Sequence, residues 1–81
     1  MTARRRWHLT FPEALVQQPI VYRLVADHGL VINIRRADVD DRYGWMLLEC
    51  LGEPAALQAA RDWLEEVGVT VSDAQGDVVA G

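Results

Sequence analysis

Few side chains in this chain of 81 residues have the types and spacing that chemistry requires. His8 lies between Trp7 and Leu9 in an alternating stretch, and no second histidine or cysteine stands at ligand spacing from it. One imidazole does not make a metal or acid–base site, so an exposed strand histidine is the expectation. His28 falls near the end of a helical stretch, where a cation complements the helix dipole. Cys50 is the only cysteine, which excludes an internal disulfide, a zinc cluster and an iron–sulfur site. On a core strand it reads as a small buried hydrophobe. Asp38, Asp40 and Asp41 lack the glycine and distal glutamate of a calcium loop and read as turn residues. No acid, base and nucleophile can be paired, so no enzyme, metal site or cofactor is expected. What remains is binding chemistry. Arg35 and Arg36 carry guanidinium groups able to clamp a carboxylate at two points, although charge at a strand edge or bulge is ordinary. Trp45 could stack on a ligand, whereas Trp63, at helical spacing, reads as core.

The elements that must position these groups follow from hydrophobic period and chain breakers. Trp7, Leu9 and Phe11 alternate with Arg6, His8 and Thr10, a half-buried strand stopped by Pro12. Pro19 suits the first turn of a helix whose apolar face carries Ile20, Val21, Leu24 and Val25, ended by Gly29. Leu30, Ile32 and Ile34 share one parity, but Ala37 and Val39 share the other, so a β-bulge is expected at Arg35–Arg36. A polar turn at residues 40–43 joins this strand to a second, Trp45 to Leu51, in an antiparallel hairpin. Pro54 opens another helix, in which Ala56, Leu57, Ala60, Trp63, Leu64 and Val67 recur at helical spacing until Gly68. Val67, Val69 and Val71 start a last short strand. The order β-α-β-β-α-β predicts an α+β fold of ferredoxin-like arrangement, a four-stranded antiparallel sheet with both helices on one face. The chain reads as a single domain over 1–81, its core at about 6–72 and a frayed tail at 73–81. Trp7, Leu9, Phe11, Leu24, Leu57, Ala60, Leu64 and Val69 are the expected core.

Composition narrows the partners. The net charge is -4, with eight arginines and no lysine against twelve acids, a poor match for nucleic acid or anionic lipid, which demand a positive field. No apolar run approaches the roughly 20 residues of a membrane helix. The arginines at 4–6 are not followed by a continuous apolar stretch, so no leader is read there. A cytoplasmic location is expected, in keeping with one free thiol. Trp45, Met46, Leu47 and Leu48 are apolar at every position, so this strand offers hydrophobic surface to both sides of a sheet whose helices cover only one. A homodimer or a ligand is therefore expected to cover the second face.

Val31 to Asp40 reads V-I-N-I-R-R-A-D-V-D and resembles the core of the NIL domain, in which an Asn-Ile-Leu triplet lies on the second strand. Here the triplet is Asn33-Ile34-Arg35, with Arg35 in place of the leucine. The resemblance extends to Leu9-Thr10-Phe11-Pro12, Pro19-Ile20, Tyr43-Gly44, Glu49, Gly52 and the Ala60–Val69 run. It implies a ferredoxin-like, ACT-like regulatory module of the kind found at the C-terminus of methionine-transporter ATPase subunits, where it dimerises and binds methionine. It implies further that Asn33 lies at an amino-acid site, and that the partner acted upon is a transporter or sulfur-metabolism protein. If the strand is regular, Arg35 shares the face of Asn33 and the two could hold a carboxylate, while Trp45 or Met46 offers polarizable surface to a thioether. The alternative expectation is a dimerisation or protein-interaction module without a small-molecule ligand.

Overall fold

The structure, a computed structural model, describes residues 1–74. β1 (Ala3–Phe11) leads through one 3₁₀ turn, Glu13–Leu15, to α1 (Ile20–His28). β2 (Val31–Val39) and β3 (Gly44–Gly52) form the hairpin, and α2 (Pro54–Val67) returns the chain to β4 (Thr70–Asp73). All pairings are antiparallel, in the order β2-β3-β1-β4. The hairpin turn is closed by Asp40, whose backbone N–H donates to the Tyr43 carbonyl at 2.8 Å. Its carboxylate Oδ1 accepts the N–H groups of Arg42 and Tyr43, both at 2.8 Å, which is what a turn aspartate does.

The core lies between the helices and one face of the sheet. Trp7, Leu9, Phe11, Leu24, Leu57, Ala60, Leu64 and Val69 are all buried, as expected, joined by Ile20, Leu30, Leu48 and Cys50. Both helices end in a left-handed glycine, Gly29 at φ 67° and Gly68 at φ 108°. At the second, Val69 N–H donates to the Leu64 carbonyl at 2.9 Å and Gly68 N–H to that of Glu65 at 3.2 Å. This Schellman closure satisfies carbonyls that the helix cannot and aims Val69 back into the core.

Four details differ from the sequence reading. Val25 is exposed, because α1 is a single short helix whose buried stripe is only Ile20 and Leu24 wide. Trp63 is half-buried at the α1–α2 seam, with the Arg23 guanidinium 5.2 Å from its ring centroid and His28 at 5.5 Å on its other contact. Val67 finishes α2, so the last strand begins only at Thr70. Asp73 is the end of that strand rather than the start of a tail; of the expected frayed segment, 75–81 lies outside the described residues.

Candidate functional site

Register decides which side chains share the sheet face that the helices leave uncovered. Met46, Leu48 and Cys50 pack into the core, so the alternation of a strand turns Trp45, Leu47, Glu49 and Leu51 to the opposite face. Across from them β1 presents Thr10, His8, Arg6 and Arg4, paired in register with Trp45, Leu47, Glu49 and Leu51. On the other side β2 presents Val31 opposite Leu51 and Asn33 opposite Glu49. The expected bulge lies between Ile34 and Arg36. Arg35 is its extra residue, and Arg36 takes the place opposite Leu47 that a regular strand would have assigned to Arg35.

Two polar devices organise this face. Glu49 is largely buried and accepts from Arg6, at 3.1 Å from Nε and 3.0 Å from Nη2, with Arg4 Nε at 4.0 Å. His8 stacks on Trp45 with ring centroids 5.4 Å apart and planes 23° from parallel. Leu47 lies between them and is completely buried within the single chain, although no helix lies over it. Long polar and aromatic side chains thus roof an apolar residue that the sequence pattern left open, as amphipathic stems commonly do.

The expected site residues do not all meet. Asn33 and Trp45 share the outer face, but the strand partner of Asn33 is Glu49, four positions from Trp45 along β3 and roughly 13 Å away at about 3.3 Å per residue. Met46 is on the helix side. There it borders a mainly apolar cavity of about 170 Å³ with Phe11, Ile20, Tyr22 and Val39. Glu49 and Arg6 were not singled out as site residues from sequence, and His8, read there as an exposed strand histidine, is half-buried against Trp45. The meeting of Arg6 with Glu49 and of His8 with Trp45 depends on the register in which β1 enters the sheet beside β3, which no local pattern reports.

Cys50 is fully buried, and burial, with a smaller push from Glu49, raises its thiol to about 12. An acid held neutral by folding stabilises the fold least where the unfolded chain ionises. Stability attributable to this group therefore declines between the ordinary value of 9.0 and about 12, on the order of 1.4 kcal/mol per pH unit. At pH 8 a disulfide reagent such as dithionitrobenzoate is expected to leave the native thiol untouched and to label it at once in urea. Rapid labelling of the native protein would show that β3 opens readily. Among the described residues, no His, Cys, Asp and Glu side chains gather in groups of three at metal-binding distance. No helix among them is long and apolar enough to cross a membrane.

The sheet order and the two helices packed on one face define a ferredoxin-like α+β domain. The model of the NIL domain family matches residues 5–73, nearly the whole described chain, and the chain belongs to that family. It is 31% identical over 71 residues to the "Methionine import ATP-binding protein MetN" of Cupriavidus metallidurans, a match covering 83% of this chain but only 21% of that one. It is 35% identical over 66 residues to "Uncharacterized protein ssr2439" of Synechocystis, covering 79% of this chain and 68% of the relative. Among solved structures, the C-terminal domain of an ABC transporter ATP-binding protein from Enterococcus faecalis superposes with a TM-score of 0.76 at 18% identity, over 90% of this chain and 86% of that one. This last likeness is one of fold. The chain spans about a fifth of the length of the methionine import ATP-binding relative it matches.

Proposed function

We propose that this domain is a regulatory module that recognises methionine or a related amino acid on the β2 side of its sheet, at an interface between two copies of the chain. It would act on a separate protein, a transporter or an enzyme of sulfur metabolism. The observation that carries the reading is the distribution of exposed apolar side chains. Tyr22 and Val25 on α1, Val31, Ile34 and Val39 on β2, and Tyr43 in the turn are all exposed, and apart from Met1 they are all the large apolar residues so exposed among those described. β2 is an edge strand, and apolar side chains left bare along an unpaired edge favour association with another chain. Asn33 lies on the same strand, on the outer face beside Val31 and pointing away from Ile34 and Val39, with an amide that offers both a donor and an acceptor to an amino-acid ligand. Kinship with a methionine import subunit supports the choice of ligand.

Sedimentation at micromolar concentration is expected to give a dimer, and Val31→Glu, on an exposed position, to give a folded monomer. Methionine at a hundred times its Kd should add about 2.7 kcal/mol to stability, a gain that Asn33→Ala removes. A chain that stays monomeric at every concentration would sink the interface. A dimer that ignores methionine, homocysteine and cysteine alike would favour the interaction-module reading instead. Methionine binding undiminished by Asn33→Ala would place the ligand elsewhere.

A further inference from the structure

The opposite edge of the molecule carries a second feature, independent of the β2 stripe. Between α2 and the outer half of β1 lies a cavity of about 320 Å³ lined by Arg5, Trp7, Pro54, Leu57, Gln58, Arg61 and Asp73, a size at the lower end of that of small-molecule sites. Trp7 and Leu57 lie at its base but are core residues, each 1% exposed, so that Pro54, at the start of α2, is the remaining apolar residue of the lining.

The polar groups around this base are mainly donors. Arg61 Nε donates to Glu65 at 3.2 Å, one helical turn on, which holds its guanidinium in place along α2. Its Nη1 donates to Asp73 at 2.9 Å. Arg5 approaches from β1, where its Nη1 donates to the Arg4 carbonyl at 2.8 Å. The Trp7 indole N–H is the one buried side-chain polar atom without a partner among the described residues. A buried donor left unmatched is a cost to folding, and it makes the Trp7 N–H, at the base of the cavity, a spectroscopic reporter of changes there. Asp73 supplies the one carboxylate in the lining, and it does so loosely, with 76% of its side chain exposed while Arg61 is only 28% exposed. A pair of that exposure contributes little and exchanges easily.

From this arrangement we propose that the cavity binds a small organic carboxylate with an apolar body. The ligand's carboxylate takes the place of Asp73 on the Arg61 guanidinium, with Arg5 as the second cation, and its apolar part lies against Pro54, above the base formed by Trp7 and Leu57. Guanidinium groups are the natural hosts for a carboxylate, since their forked donors match its two oxygens. Asp73 is then a built-in competitor that sits at the end of β4, so occupancy of the cavity is coupled to the hold of α2 on that strand.

Titration of the ¹⁵N-labelled full chain with benzoate and hexanoate, followed by the indole N–H resonances at constant ionic strength, tests this directly. The Trp7 resonance, assigned by its loss in Trp7→Phe, should move saturably with both acids and not with benzyl alcohol. Arg61→Gln and Arg5→Gln should each weaken binding by about tenfold, the loss of one charge-assisted contact. Asp73→Asn should tighten it by about fivefold, the release of one exposed ion pair. Well-dispersed spectra of each variant separate loss of binding from loss of fold. The proposal is overturned if the Trp7 resonance does not saturate up to tens of millimolar, or if benzyl alcohol moves it as the acids do. It is equally overturned if folded Asp73→Asn binds no tighter than the parent.

Discussion

Replacing Leu64 with alanine is expected to lower the free energy of unfolding by about 2–5 kcal/mol. The side chain is fully buried on α2, within a cluster that includes Leu9, Leu24, Leu57 and Ala60. Neither the sheet nor the helix can move in to fill the space left behind, because both are tied by their own backbone hydrogen bonds and by the closure at Gly68. For a domain of this size the whole stability is only about 5–15 kcal/mol, so the variant should unfold at markedly lower urea with an unchanged denaturant slope. The same change at Leu47, equally buried on the other face, should fall at the low end of that range. Its roof is made of His8, Trp45 and arginine stems, which can settle into the gap. Equal losses at the two positions would mean that the outer face is as rigid as the core.

Trp7→Ala is expected to cost about 3–5 kcal/mol, as large an effect as any single substitution here, since the indole is 1% exposed at the centre of β1. Trp7→Phe provides the sharper test. It removes volume, which costs stability, and also removes an indole N–H that finds no acceptor. Leaving such a donor buried costs about 1–3 kcal/mol, so the two effects oppose each other and Trp7→Phe should fall within about 1 kcal/mol of the parent. Chemical denaturation of the three proteins in one buffer decides it. A loss for Trp7→Phe close to that of Trp7→Ala would mean that the N–H has a partner in solution, a bridging water being the simplest.

Much of this domain could be read from residue order alone. The alternation of Trp7, Leu9 and Phe11, the helical recurrence of Leu57, Ala60 and Leu64, and the glycines at 29 and 68 specify elements through short-range physics: side-chain period and backbone sterics. The parity change after Ile34 revealed even the bulge, because one extra residue inverts every later side chain. The resemblance around Asn33 pointed to the family for the same reason, being a local string of residues. The tertiary structure alone decided what meets what across the sheet. Placing β1 beside β3 sets Arg6 on Glu49 and His8 against Trp45, and it closes a roof over Leu47 that the apolar run in β3 did not announce. That roof moves the exposed apolar surface from β3, where the run of apolar residues suggested it, to β2 and α1. The bulge likewise exchanges Arg36 for Arg35 opposite Leu47 and leaves Met46 facing the helices, away from Asn33. These are contacts between residues far apart in the chain. Their partners are chosen by the lowest free energy of the whole packed domain, and no window of neighbouring residues contains that choice.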